Sequence, residues 1–340
     1  MKLLPIARRA TALLAAAALG LSVSACTADA DQSGAAAGGS DTVVFTADNG
    51  EVEIPSDPER VIATGYAVPV LLEADAPLVG ISEWSRGLPM MTEEDLETYE
   101  ATDKIMGETA DSISYDAVEQ AEPDLIILGV PLPVLGDVNM DRLEQIAPVV
   151  VLGPSLPDSW KELGGRQSEA AGVRGTWDEQ KEAYYAKAAE LEATYADVLE
   201  GVDFGHLGAY GDVAAGEFHR EFAGSYATHI AGDIGVTYYG QVRDGGAGGA
   251  AEVSEYSSIE ELPRSYGEAD YITYTVDDDG SIPEGVQYVM DSPLWQNLPA
   301  VRAGHVIPIR YSEAATYQSA LITLDALDAA LASAFAEELP

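Results

Sequence analysis

The sequence predicts an α/β protein of two lobes joined by one long helix, and three observations carry that expectation. The segment TWDEQKEAYYAKAAELEATYADVLEGV, Thr176 to Val202, contains no proline, and no glycine before Gly201. Its Trp177, Tyr184, Ala188, Leu191, Tyr195 and Val198 recur at helical spacing, which gathers them on one face with Glu, Lys and Asp on the others. On either side, short apolar runs alternate with helix-like stretches, the pattern of a mainly parallel sheet covered by helices. The expected architecture is two Rossmann-like lobes, 42–175 and 203–340, on a connecting helix, 176–202. That helix would be about 37 Å long, and a ligand cleft would lie between the lobes.

The chain opens with Lys2, Arg8 and Arg9 ahead of an apolar run, Ala10 to Val23, too short for a comfortable membrane span. Residues 1–25 therefore read as a signal peptide. Val23-Ser24-Ala25-Cys26 resembles the lipobox of bacterial lipoproteins, which predicts cleavage before Cys26, acylation of its thiol and a lipid-anchored protein on the outer face of the cell membrane. Cys26 is also the single cysteine of the chain, so no internal disulfide forms. Residues 26–41, rich in Ala, Gly, Ser and Asp, read as a flexible tether.

In the first lobe, alternating residues on either side of Asp48-Asn49-Gly50 predict a hairpin. Strands are expected at Pro58–Thr64, Leu78–Ile81, Lys104–Gly107, Asp124–Gly129 and Pro148–Gly153, with helices at Val68–Ala74, Tyr115–Ala121 and Met140–Ala147. Thr176 with Glu179 reads as a capping box for the connecting helix, and Gly201 as its stop. The second lobe repeats the grammar. It has strands at Gly205–Tyr210, Val236–Tyr239, Tyr271–Val276 and Gly304–Arg310, helices at Ser225–Asp233, Ser258–Tyr266 and Tyr317–Glu338, and a glycine-rich loop at Arg243–Ala251.

Composition narrows the function. The chain has 58 acidic and 17 basic residues, and removing the signal leaves 14 basic residues, a balance of −44. Such a surface repels phosphate, which excludes nucleic acid as a partner. An enzyme would need a recognisable site, and Phe222-Ala-Gly-Ser-Tyr-Ala227 lacks the trailing glycine of a hydrolase nucleophile elbow. A free zinc or manganese ion would need converging His and carboxylate ligands. Of His206, His219, His229 and His305, the last two sit in structural settings.

Ser292-Pro-Leu-Trp-Gln-Asn-Leu-Pro-Ala-Val-Arg-Ala-Gly-His-Val-Ile-Pro308 resembles the closing motif of the iron–siderophore and cobalamin substrate-binding lipoproteins of ABC importers. Pro58-Glu-Arg-Val-Ile-Ala63 and Glu122-Pro-Asp-Leu-Ile-Ile127 resemble the same family's first-lobe motifs. The resemblance runs from about Thr42 to the last helix. It implies a non-enzymatic monomer without cofactor or protein-bound metal, which captures a ferric siderophore and delivers it to the permease. Haem, cobalamin or a free metal ion are the alternative cargoes, and the small number of basic residues favours a weakly charged hydroxamate-type complex.

A chelate arrives with its iron already wrapped, so the protein must grip an oxygen-rich shell. Arginine does this with parallel hydrogen bonds, and aromatic rings supply rigid walls. The expected ligand-binding residues are Tyr66, Trp84, Arg86, Arg220, Arg243, Arg310 and Tyr311, all in loops or at strand ends. The resemblance further implies one acidic residue per lobe for docking to the permease: Asp116, where the family usually has Glu, and Glu260. A stiff connecting helix also predicts lobe closure of only a few degrees.

Overall fold

The computed structural model describes residues 41–243 and 248–339. The signal peptide, nearly all of the tether, Cys26 and four residues of the glycine-rich loop lie outside the described residues. Among the described residues no helix is long and apolar enough to cross a membrane.

The hairpin forms as expected: Thr42–Ala47 (β1) pairs antiparallel with Gly50–Pro55 (β2) around Asp48 and Asn49. Gly50, at φ 114°, supplies the backbone conformation that the tight turn requires. Asn49 fastens the turn to the first sheet, its amide donating to the Val149 carbonyl and its oxygen accepting from the Val151 N–H, both at 3.0 Å.

Val61–Gly65 (β3), Leu78–Ser82 (β4), Lys104–Met106 (β5), Leu125–Gly129 (β6) and Val149–Val151 (β7) form an all-parallel sheet in the order β5-β4-β3-β6-β7. The chain starts in the middle, winds outward one way and then the other, so β3 and β6 flank the point where the strand order reverses. In open α/β sheets ligands bind beyond the carboxyl ends of those two strands. Here those ends are Gly65 and Gly129. A Cβ on Gly65 would lie 2.5 Å from the Gly129 carbonyl oxygen, and one on Gly129 2.4 Å from the Thr64 oxygen. Only glycine permits this approach of the two backbones, and Tyr66 leaves directly from it.

The second sheet holds Asp203–Gly208 (β8), Glu217–Glu221 (β9), Thr237–Tyr238 (β10), Ser254–Ser258 (β11), Tyr271–Thr275 (β12) and Val306–Ile309 (β13). Its path is β11-β9-β8-β12-β13, with β10 also on β8. It is mixed, because β9 runs antiparallel to both β8 and β11. Sequence reasoning anticipated neither β9 nor β11. Phe218-His219-Arg220-Glu221 reads as a charged loop, yet Phe218 enters the core while His219 and Glu221 face the other side of the sheet, also buried.

The connecting helix spans Arg174–Leu199, with Gly201 in the left-handed conformation just beyond. Trp177, Tyr184, Ala188, Leu191 and Tyr195 are buried as the spacing predicts, whereas Val198 is half-buried and Leu199 takes the last core position. The expected capping box is not used. The helix begins two residues earlier, after Val173, which offers no side-chain cap. Contacts with a preceding helix, Trp160–Ala170, fix this start: Arg174 donates to the Gly165 carbonyl and to Asp178, and the Trp177 ring fills the groove left open by Gly164. Trp177, Tyr184 and Trp160 surround Tyr317 of the closing helix (Tyr317–Ala334) with ring centroids 4.7–5.2 Å apart. One apolar core thus runs along the connecting helix and touches both sheets.

Candidate functional site

Beyond Gly65 and Gly129 three of the expected residues meet. Trp84 is buried after β4, and its ring lies edge-on to Tyr66 with centroids 5.0 Å apart. The Arg86 guanidinium sits 4.0 Å from the Trp84 ring and 4.7 Å from Tyr66, so one cation rests on two aromatic faces. Gly87 makes this possible, since a Cβ there would strike the Trp84 indole nitrogen at 2.2 Å. Burial pushes the Tyr66 phenol well above its ordinary value, with Arg86 pulling it down and the Tyr226 phenol adding to the rise. Glu313 faces Arg86 from the second lobe, its carboxyl pushed up by burial against the pull of that arginine.

Two cavities open around this cluster and share Tyr66, Arg86 and Pro131. The larger, about 840 Å³, lies between the lobes: Leu132, Arg166 and Leu163 line it from one side and Tyr226 and Ala250 from the other. The smaller, about 500 Å³, belongs to the first lobe and adds Trp84, Glu83, Glu108, Asp111 and Asp137. Both volumes suit a small-molecule ligand.

The remaining expected residues are not brought into either cavity lining. Arg220 is 6% exposed, its guanidinium over the rings of Phe222, Tyr239 and Tyr266 and bonded to the Tyr239 carbonyl at 3.2 Å. It lies within β9 and not in a loop beyond a strand end, and alternation places it on the same face as Phe218, toward Tyr266. Arg243 lines a separate groove along β11 and is engaged by Glu255 at 2.7 Å and Glu261 at 3.1 Å. Arg310 and Tyr311 close β13, the guanidinium 5.1 Å from the tyrosine ring and Tyr311 held at φ 57°. In the first lobe Asp116 is ion-paired with Arg142, while Glu260 is exposed in the turn after β11, its N–H directed at the Ser258 hydroxyl.

Sequence reasoning missed Arg166, Tyr226 and Glu313. Arg166 sits on the unanticipated Trp160–Ala170 helix and donates to Asp48 at 2.9 Å and to the Thr46 carbonyl at 3.1 Å. Only knowledge of that helix would have placed it at the cleft.

The histidines His206, His219 and His229 are buried, and desolvation lowers them to about 3, 4 and 4, so they are neutral at physiological pH. His206 bridges the hydroxyls of Thr273 and Thr275, and His229 accepts the indole N–H of Trp160. Among the described residues no three His, Cys, Asp or Glu side chains are grouped to hold a metal ion.

No protein-family model matches the chain. A curated relative, the iron(3+)-hydroxamate-binding protein YxeB of Bacillus subtilis, is 26% identical over 203 residues, which is 56% of this chain. The match spans 58% of that relative's length. A solved structure, the siderophore periplasmic binding protein from the fuscachelin gene cluster of Thermobifida fusca, is 28% identical with a TM-score of 0.66, over 82% of this chain and 98% of that one. Staphylococcus aureus SirA complexed with staphyloferrin B is 22% identical with a TM-score of 0.65, over 85% and 98% of the two chains. The chain therefore has the fold of siderophore-binding proteins, in agreement with the resemblance carried by its sequence motifs.

Proposed function

We propose that this chain is the extracytoplasmic, lipid-anchored substrate-binding protein of an ABC importer, and that it captures a ferric hydroxamate-type siderophore. The observation that carries the proposal is the meeting of Tyr66, Trp84 and Arg86 at the strand-order reversal, opposite Tyr226, around an inter-lobe cavity of about 840 Å³. The relatives are binding proteins for iron chelates, and the shared fold supports the same use here.

In this reading the Arg86 guanidinium donates to chelating oxygens while Tyr66, Trp84 and Tyr226 form walls against the organic shell. Iron stays in its chelator, and the protein adds neither cofactor nor turnover. Cys26 carries the lipid, the protein works as a monomer, and Asp116 and Glu260 meet the permease. Asp116 must leave Arg142 to do so, whereas Glu260 is already free of ion pairs among the described residues.

Titration of intrinsic tryptophan fluorescence with ferric hydroxamates, ferric catecholates, haem and cobalamin tests the proposal. Saturable quenching by a hydroxamate complex at sub-micromolar concentration supports it, and quenching by haem or cobalamin alone replaces the cargo. Loss of acyl-chain labelling in a Cys26→Ala variant tests the anchor.

A further inference from the structure

The second-lobe wall of the cleft hangs on one buried carboxyl. Tyr226, which meets Tyr66 across the larger cavity, is half-buried in the turn between β9 and the short helix Thr228–Asp233. Part of that turn closes on itself: the Thr228 hydroxyl accepts the Ser225 N–H at 2.9 Å, and Gly224 bends the chain at φ 84°. The other hold comes from the strand. Glu221, the last residue of β9, accepts the Ala227 N–H at 2.9 Å, one residue past Tyr226. The buried Ser225 hydroxyl, otherwise without a partner among the described residues, faces the same carboxyl from the residue before Tyr226. Glu221, itself 3% exposed, thus addresses both neighbours of Tyr226.

The groups around Glu221 do not pair with it as ions. His219 Nδ1 lies 3.7 Å away, but burial lowers that histidine to about 4 and leaves it neutral. His206 of β8 stands behind His219 and is neutral as well. Tyr238 from β10, Tyr256 from β11 and Tyr266 from the helix Leu262–Tyr266 also face the carboxyl, their phenols all pushed up by burial. Arg220, next in the strand, points to the opposite face. Among the described residues no Lys or Arg lies within ion-pair distance of Glu221. Burial pushes Glu221 up to about 7, and the hydrogen bonds from Ala227 and Ser225 oppose that rise.

We propose that Glu221 is a positioning residue for the cleft: its ionised carboxylate tightens the 222–228 turn and sets Tyr226 against Tyr66, so that cargo binding and loss of the Glu221 proton favour each other. This rests on the capture of a chelate between the lobes proposed above and adds a titratable control to it. A charged acceptor holds an N–H about twice as strongly as a neutral one. Protonated, Glu221 keeps a weaker grip and the turn loosens; ionised, it fixes the wall. The coupling is reciprocal, so cargo that needs the ordered wall draws the Glu221 pKa down and expels the proton.

One test needs no cargo. In amide NMR spectra of the free protein, Ala227 should titrate with a midpoint of about 7 and lose that step in Glu221→Gln, which keeps an acceptor but cannot ionise. An Ala227 signal unmoved between pH 6 and pH 8 overturns the proposal. The second test uses a cyclic ferric trihydroxamate, whose own charge is constant over that range. Its affinity should rise about fivefold from pH 6 to pH 8, and calorimetry in buffers of different ionisation enthalpy should show proton release on binding near neutrality. Glu221→Gln should bind at the low-pH level throughout. Tyr226→Ala should keep the Ala227 titration while its weakened affinity loses the pH dependence, a split that a merely structural Glu221 would not produce. A pH dependence of affinity that survives in either variant overturns the proposal. Failure to bind the chelate at any pH, with Ala227 still titrating, overturns the capture reading alone.

Discussion

The Thr316 hydroxyl donates a 2.7 Å hydrogen bond to Glu73, joining the N-cap of the closing helix to the end of the helix that follows Tyr66. Burial raises Glu73 to about 8, with the Thr316 hydrogen bond opposing and Asp95 adding to the rise. The native state thus holds a proton that the unfolded chain releases near its ordinary value of 4.5. Stability from this group is full below about pH 4.5 and is lost as pH rises through 8. Glu73→Gln keeps the acceptor without the charge. It should raise the melting temperature by about 4–8 °C at pH 9 and by little at pH 5, measured by calorimetry.

Arg86 touches the cleft but supports no core contact beyond two ring faces. Arg86→Ala should weaken binding of a ferric hydroxamate by about tenfold while shifting the melting temperature by less than about 2 °C. Arg86→Lys should restore little, because an ammonium neither lies flat on Trp84 nor donates in parallel. Calorimetric titration separates the three proteins.

Two glycines near the start of the connecting helix should respond in opposite directions. A Cβ at Gly164 would lie 2.3 Å from the Trp177 ring, so Gly164→Ala is expected to cost about 1–3 kcal/mol. Gly175 lies in the first turn of the helix with nothing within 4 Å of its Cβ position. Gly175→Ala should gain about 0.5–1 kcal/mol by restricting the unfolded chain. Urea unfolding of both variants reads the two signs side by side.

The lobes are tied by more than the connecting helix. Tyr317 donates to the Lys161 carbonyl at 3.0 Å and Gln318 to Asp95 at 2.7 Å, beside the Thr316–Glu73 bond. Ligand binding should therefore change the radius of gyration in solution scattering by less than about 0.5 Å, since hinge closure would have to break these contacts. A larger compaction would show that they are made and broken in each transport cycle.

The first lobe was legible because a parallel sheet buried on both faces writes itself as unbroken apolar runs, as in Leu125-Ile126-Ile127-Leu128. The connecting helix was legible from the spacing of Trp177, Tyr184 and Tyr195. The second lobe was less so. In β9 a buried His219–Glu221 pair and a buried Arg220 replace apolar residues, and in β11 Ser254–Ser258 is a polar edge strand. The helix Trp160–Ala170 was hidden by Gly164-Gly165, which serve the Trp177 contact and lower helix propensity. Loop positions next to a strand end, Tyr66, Trp84 and Arg86, could be picked out one by one. That Arg220 lies inside a strand and Arg243 is engaged by Glu255 depends on the pairing of distant segments, and residue type does not encode either.

The pinch between Gly65 and Gly129 is made by main chain alone, so it fixes the edge of the first-lobe cavity without prescribing the side chains around it. If the cleft takes a chelate as proposed, cargo choice lives in the segments that overhang it, 84–86, 131–133 and 153–166, with Tyr226 opposite. Those segments could be exchanged between relatives like interchangeable jaws on a fixed vice, retargeting uptake without redesigning the frame.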